Sequence, residues 1–376
     1  MELSKEQREW LTLVMAPGVG STHFIRLLAR FHSPGNVLRA SEGALRDVVG
    51  PGLAQRIVQY GEAADVAGQE RLMKEYDARL ITLEDPAYPL RLAEIYDPPL
   101  ALFVRGAPPL ADEPSVAVVG TRRATPYGIR TAEQFGRELA ARGLTVVSGM
   151  ANGIDAAAHR GALEAGGRTI AVFGNGVDVV YPAQNADLMQ QIIGHGCVVS
   201  QFFMGAKPAK GHFPYRNRII SGMTLGTLVV EAPPNSGALI TARQAAEQGR
   251  EVFAVPGQLG VRNSQGPHAL IRQGAKLVET VDDILVELEV PVQCRQPARA
   301  PETPAAEGPT PKPKAPPKKV SGIEKDILSV LSPDGSFVDE IAAACRISVS
   351  EALSSLTLLE LKGLVRQFSG KRFAPA

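Results

Sequence analysis

The sequence predicts a doubly wound α/β core with a small all-α module before it and a small helical domain with a terminal hairpin after it. Three observations carry this. From Ser115 onward, short apolar, β-branched runs alternate with amphipathic helical runs, the texture of a parallel sheet covered on both faces. The segment ahead of them has helical texture broken by Gly/Pro turns. A proline-rich stretch then separates the core from its tail.

In chain order, residues 1–70 read as helices. Leu11, Val14 and Met15 precede APGVG (16–20), followed by FIRLLARF (24–31), and VGPGLAQRIV (49–58) repeats the arrangement. Two helix–Gly-turn–helix units make a module assigned to residues 1–75. The core is assigned to residues 76–289. Its strands are expected at VAVVG (116–120), LTVVSG (144–149), TIAVFG (169–174), CVVSQF (197–202), TLVVEA (227–232) and EVFAVPG (251–257). Helices such as AEQFGRELAARG (132–143) and ITARQAAEQG (240–249) lie between them. Residues 290–320 are rich in proline and lack aromatics, so they cannot bury enough apolar surface to fold and read as a linker. Residues 321–376 scan as helices over 323–331, 338–344 and 349–362 and then a hairpin around Ser369 and Gly370, the winged-helix pattern.

In such a sheet the binding site lies outside the carboxyl ends of the strands. There the sequence places Gly120-Thr121-Arg122-Arg123, then Ser148-Gly149 through Asp155, then Gly174-Asn175-Gly176, and finally Ser236-Gly237 with Thr241 beyond Glu231. Glycines let backbone N–H groups approach an anion, and the helix that follows adds its positive dipole end. Four such loops on one rim describe a phosphate-binding edge; for any one loop, a tight strand-to-helix turn is the alternative. The first loop, GTRRATPYG, is no dinucleotide fingerprint, and no Walker A lysine motif is present. It offers arginine instead, whose planar fork suits a phosphate.

The segment KPAKGHFPYRNRIISG (207–222) interleaves Lys207, Lys210, His212, Arg216 and Arg218 with Phe213 and Tyr215. Cations that follow a backbone beside rings that stack on bases suit a single strand. The alternative puts Phe213 in the core and Arg216 and Arg218 in ion pairs. Catalytic constellations are thin. Asp155 and His159 fall one helical turn apart and read as an acid/base pair or as a helix-start carboxylate beside a core histidine. Glu231 ends an apolar strand beside the rim and reads as an acid/base candidate or a hydrogen-bond acceptor. The third tail helix carries Glu351, Glu360 and Lys362, a poor positive face for reading a duplex.

Charge and cysteine content narrow the classes. Lys and Arg total 40 against 39 Asp and Glu, so any nucleic-acid site is a local patch. The three cysteines, Cys197, Cys294 and Cys345, form no CxxC or Cys/His cluster, which speaks against a zinc site or a disulfide framework. The charged start MELSKEQREW is no signal peptide, and no run of about 18 apolar residues implies a membrane span.

The ordered segments VAVVGTRRATPYG, VSGMANGIDAAAHRGAL, TIAVFGNGVDVVYP, FPYRNRIISG, VVEAPPNSGALITARQAAEQGREVFAVPG and LIRQGAKLV resemble the DNA-processing protein family called DprA or Smf. The resemblance is dense over about residues 85–286, and the helical module and winged tail also resemble the family's architecture. It implies a Rossmann-like core that binds single-stranded DNA without catalysis and without a cofactor. It also implies a helix-hairpin-helix or SAM-like N-terminal module, a cytoplasmic location and a homodimer. The implied role is loading RecA onto incoming DNA in natural transformation, displacing or sharing the strand with single-strand-binding protein. The family's Gly-Ser/Thr-Arg motif falls on Gly120, Thr121 and Arg122, its DNA-contacting lysine on Lys210 and its aromatic on Phe213. Arg216 and Arg218 divide between DNA and fold, and Arg123, Ser148, Gly149, Asn175, Ser236 and Gly237 complete the expected DNA-binding set.

Two other readings remain open on the residues. Related Rossmann-like phosphoribohydrolases carry PGGxGTxxE, where this chain has SGMTLGTLVVEA; the paired glycines are lost and Glu231 survives. A duplex-binding transcription factor acting through the winged tail is the third.

Overall fold

Ser4 starts the first helix by a reciprocal cap: its hydroxyl accepts the Gln7 N–H, and the Gln7 side chain accepts the Ser4 N–H. That helix, α1 (Lys5–Met15), is followed by α2 (Ser21–Phe31), α3 (Pro34–Arg39), α4 (Glu42–Val49), α5 (Pro51–Ala63) and α6 (Val66–Glu75). Both expected glycine turns are present. Gly18, between α1 and α2, has φ 92°, and Gly50, between α4 and α5, has φ 79°, a region where a side chain would clash with the backbone. The module holds more than the two anticipated helix pairs, since α3 and α6 add to them. The computed structural model describes residues 2–288, 322–331, 336–345, 347–361, 365–368 and 372–375. The linker expected at 290–320, Cys294, Lys362 and the Ser369-Gly370 hairpin tip lie outside the described residues.

Two strands follow that the apolar-run pattern did not show: β1 (Ala78–Thr82) and, after the short α7 (Leu90–Ala93), β2 (Ala101–Gly106). They pair antiparallel with each other, and β2 runs antiparallel to the sixth strand, so the sheet is mixed at this edge rather than wholly parallel. The doubly wound part then runs β3 (Ser115–Val119), α8 (Pro126–Ala141), β4 (Thr145–Ser148), α9 (Ile154–Glu164), β5 (Thr169–Val172), α10 (Ala186–His195), β6 (Cys197–Ser200), α11 (His212–Gly222), β7 (Gly226–Val229), α12 (Gly237–Glu247), β8 (Glu251–Ala254), α13 (Gln265–Arg272), β9 (Lys276–Leu277) and α14 (Val281–Leu288). All six strands named from the sequence are there, each ending one to three residues earlier than its apolar run. The order is β1-β2-β6-β5-β4-β3-β7-β8-β9, and β3 through β9 pair parallel. The chain winds outward from β3 through β6, then returns to the other side of β3 to lay down β7. The switch point is therefore between β3 and β7, a Rossmann-like arrangement.

Strands β3 through β7 are buried along their whole length because both faces are covered. Alternation by two assigns the side chains: Ala117, Val119 and Val147 join a core with α7, α11 and α12, while Val116, Val118 and Val146 join one with α8, α9 and α14. Helices α8 and α9 approach backbone to backbone. A Cβ on Gly161 would lie 2.0 Å from the Glu133 carbonyl oxygen, and one on Gly136 would lie 2.3 Å from that of Ala158. The N-terminal helices share a third core with the sheet: Trp10, Leu11, Phe24 and Leu27 pack with Phe103, Val198, Met189 and Ile192. Trp10 Nε1 donates to the Leu100 carbonyl at 2.9 Å, which satisfies the buried indole.

A second unit comprises α15 (Gly322–Val330), β10 (Ser336–Phe337), α16 (Val338–Cys345), α17 (Val349–Leu361), β11 (Val365–Phe368) and β12 (Arg372–Pro375). Its strands pair in the order β10-β12-β11, and Ile327, Ile341, Leu356 and Phe373 fill its core. This is a winged-helix fold.

Candidate nucleic-acid interface

The carboxyl ends of β3, β4, β5 and β7 converge on one crevice, closed on its far side by α11. The first two rim loops are locked together. The Ile154 N–H donates to the Thr121 carbonyl at 3.3 Å, and a Cβ on Gly153 would meet that oxygen at 2.3 Å. Gly153, with φ 84°, is therefore required both by space and by backbone angle. Thr121 N–H donates to the Glu231 carbonyl at 2.7 Å, which ties the loop after β3 to the end of β7 across the switch point.

Between these loops and α11 lies a groove of about 610 Å³ lined by Gly120, Thr121, Arg122, Arg123, Lys210, Phe213, Arg216, Ser236 and Gly237. A smaller recess of about 60 Å³ opens beneath Phe213, among Arg122, Gly149, Asn152, Asn175, Tyr181 and Arg216. Eleven of the thirteen residues expected from the sequence thus face one continuous site. The Arg122 guanidinium lies 5.3 Å from the centre of the Phe213 ring, and Tyr181 lies on Phe213 at 5.4 Å. Phe213 is half-buried, and the neighbouring glycine at 174 makes room for it: a Cβ there would come within 2.9 Å of the ring. Lys210, Arg122 and Arg123 are exposed. Cations at the edge and rings along the wall are the combination a single nucleic-acid strand uses.

Arg216 differs from its neighbours. It is 4% exposed, donates from Nη1 to the Gly149 carbonyl at 3.3 Å, and has no hydrogen-bond partner at Nε. Burial lowers its pKa to about 10, with the Asp155 carboxylate opposing the shift and Arg122 adding to it. Asp155 accepts the Gly149 N–H at 3.2 Å and the Ala151 N–H at 3.4 Å. Burial pushes its carboxyl upward, and Arg216, the two N–H donors and Arg122 pull it back.

Two expected residues stand outside the groove. Ser148 is fully buried and donates to the Val118 carbonyl at 2.6 Å, a rivet between β3 and β4. Arg218 lies on the opposite side of α11, where it pairs with Asp97 at 3.2 Å, donates to the Asp97 carbonyl at 2.9 Å and stacks over Tyr215 at 4.0 Å. Asn175 and Ser236 line the site while their side chains serve their own loops. Asn175 Nδ2 donates to the Val179 carbonyl at 2.7 Å, and Ser236 Oγ accepts the Ala238 N–H at the start of α12.

Neither acid/base candidate is free. Glu231 is buried and accepts from Thr125 N–H at 2.9 Å, from the Thr125 hydroxyl and from Asn263 Nδ2 at 3.2 Å, so it fastens the start of α8 to the end of β7. His159 and Asp155 each hold other partners. Thr169 Oγ1 gives its proton to the Val146 carbonyl at 2.7 Å, so the His159 Nδ1 2.6 Å away is the protonated ring nitrogen, donating to Thr169. The site also includes Asn152 and Thr241 from the expected rim loops and Asn217 from α11, together with Tyr181 and Pro233, which the sequence argument did not single out. Tyr181 had a visible signal, an aromatic within the VVYP run just after the third Gly turn.

Fold and site together define a mixed α/β protein with a cationic, aromatic-walled crevice at its switch point and a winged-helix appendage. Comparison with known proteins makes the assignment specific. Residues 79–289 match the family model described as DNA recombination-mediator protein A, and residues 310–371 match the DprA winged helix domain. The chain belongs to this DprA/Smf family. It is 34% identical to Protein Smf of Synechocystis over 98% of this chain and 99% of that one, and 43% identical to the DNA processing protein DprA of Streptococcus pneumoniae over 61% and 86%. The X-ray structure of the Streptococcus pneumoniae protein superposes with a TM-score of 0.66 at 37% identity, covering 76% of this chain and 99% of that one. DNA processing protein A from Helicobacter pylori, whose structure is described in terms of its single-stranded DNA binding mode, superposes with a TM-score of 0.51 at 31% identity, covering 56% and 96%.

Proposed function

We propose that this protein binds single-stranded DNA along the groove between the rim loops and α11, and that it acts without catalysis as a mediator loading RecA onto incoming DNA during natural transformation. The observation that carries the reading is the Arg122–Phe213–Tyr181 ladder with Lys210 beside it. Guanidinium and ammonium groups track a phosphate backbone while exposed ring faces stack on bases. The family's description as a recombination mediator, and the single-stranded DNA described for the Helicobacter pylori relative, support the same reading. The non-catalytic part rests on Glu231, whose carboxylate is already taken up by Thr125 and Asn263. Homodimerisation would place two grooves on one assembly and raise avidity for a long strand. Sharing the strand with single-strand-binding protein belongs to the same proposal.

The test is fluorescence anisotropy of labelled oligo-dT against a matched duplex at two salt concentrations, followed by a RecA-loading assay. Preference for the strand with a marked salt slope supports the reading. Preference for the duplex moves the function to the winged tail. Failure to bind either, with base released from nucleoside monophosphates, makes the protein a nucleotide hydrolase.

A further inference from the structure

We propose that the bound strand continues past Phe213 along the rim of the sheet and seats one base against Tyr215, in a cleft between α11 and the N-terminal helical module. The inference rests on the reading of the groove as a strand-binding site. It adds a second stacking station, walled in part by a module that contributes nothing to the groove itself.

The place of the cleft is the first argument. Strand β2 runs antiparallel to β6 with Phe103 opposite Ser200, so the residues before β2 and those after β6 meet at the edge where β4 and β5 also end. There Val19, Ser21, Pro98, Gln201, Phe202 and Tyr215 are among the residues that line about 190 Å³. That is room for roughly a dozen water-sized groups at about 15 Å³ each, the scale of a nucleobase. His212 joins the two openings. Its Nδ1–H donates to the carbonyl of Gly174, on the third rim loop, at 3.0 Å, and its ring stacks on Phe202 at 4.1 Å. Rings thus follow one another along the rim, from Tyr181 and Phe213 through His212 and Phe202 to Tyr215.

The chemistry of the cleft is the second. The Arg218 guanidinium lies over the Tyr215 ring at 4.0 Å from its centre, as Arg122 lies against Phe213, yet Tyr215 is 48% exposed, so ring surface is left for a base. The charged residues lining the cleft are Arg218 and Asp97, which pair at 3.2 Å. The Asp97 carboxylate also accepts from the Ser21 hydroxyl at 2.6 Å and from the Tyr215 hydroxyl at 3.1 Å. With its two charges offset, the cleft suits a flat, uncharged group and offers no seat for a phosphate. The Gln201 Nε2 in the same wall lacks a protein acceptor, and a thymine carbonyl can supply one. The station therefore takes a base by stacking, while the phosphates of the strand stay with the cations of the groove.

The experiment is fluorescence anisotropy of labelled oligo-dT with the full-length protein, over lengths from about 4 to about 16 nucleotides, the span of site sizes that stacking tracks cover. Wild type is compared with Tyr215→Leu and Tyr215→Phe. The expected result is that Tyr215→Leu binds the long oligomers about tenfold more weakly, with the loss vanishing at the short end and the salt slope unchanged. Tyr215→Phe, which keeps the ring, restores the affinity. Full affinity of folded Tyr215→Leu for the long oligomers overturns the station and leaves the groove reading intact. An equal loss at every length also overturns it, because Tyr215 then acts by holding α11 in place. Should Tyr215→Leu not fold, oligo-dT carrying iodouracil in place of thymine is photocrosslinked to the wild-type protein. Crosslinks on Tyr215 or Phe202 support the station, and crosslinks on neither overturn it. Absence of oligo-dT binding overturns the underlying reading instead.

Discussion

The guanidinium of Arg122 lies 5.3 Å from the centroid of the Phe213 ring, joining the loop after β3 to the N-terminal turn of α11 across the groove. The two residues sit ninety-one positions apart in the chain, and the contact sets a cation against a ring on the groove wall. Arg122→Ala should remove one phosphate contact and lower the single-strand salt slope by about 0.7; Lys210→Ala should do the same. A salt titration of anisotropy reads both, and unchanged slopes would remove these residues from the site.

Phe213→Ala is expected to weaken strand binding by about 1–3 kcal/mol with the slope nearly intact, because stacking releases no counterion. The stacked pair should also be non-additive. The double variant Arg122→Ala, Phe213→Ala should cost less than the sum of the single losses, since each residue holds the other in place. Strict additivity in the double-mutant cycle would show that the two act independently on the strand.

Arg218 should behave oppositely to Arg122. Its partners are Asp97 and the Tyr215 ring, away from the groove. Arg218→Ala is expected to lower stability by about 1–3 kcal/mol, the Asp97 side being partly open to solvent, and to leave the salt slope as it was. Thermal melts and the same titration separate the effects; a slope reduced by a full contact with an unchanged melt would place Arg218 on the DNA.

His159 predicts an acid sensitivity. Its folded pKa is lowered to about 3 from 6.5, first by burial and then by Arg216, so the unfolded chain binds the extra proton between those values. Stability from this group is complete above pH 6.5 and is lost as pH falls toward 3, by up to about 1.4 kcal/mol per pH unit. His159→Asn, which keeps a donor for Thr169, should flatten the fall in melting temperature between pH 7 and pH 5. A curve identical to wild type would assign the acid sensitivity elsewhere.

The glycines between α8 and α9 are expected to resist any side chain. Gly161→Ala brings a methyl to 2.0 Å from the Glu133 oxygen and must push the helices apart, at about 1–3 kcal/mol. A chemical-denaturation midpoint equal to wild type would show that the helices yield freely.

The doubly wound core was legible because its strands are buried on both faces and read as continuous apolar runs, VAVV and CVVS among them. Strands β1 and β2 were not, since ARLIT and ALFVRG belong to an antiparallel edge with no intervening long helix to announce them. The rim was legible as glycines at strand ends, and these loops do converge. What a linear reading could not give was direction: Arg216 and Arg218 are two residues apart on α11, about 200° around the helix, so one faces the groove and the other Asp97. Likewise the donors that occupy Glu231 come from Thr125 and Asn263, over thirty residues away on either side.

The return crossing that lays β7 beside β3 has a consequence for the chain as it is made. While only the part through β6 has emerged from a ribosome, β3 shows an unpaired edge and the crevice has one wall, because Ser236 and Gly237 have yet to emerge. The nascent chain cannot complete the groove before its own sheet is closed. Arrival of β7 seals the edge and supplies the second wall in the same step, so the groove is completed with the fold and not ahead of it.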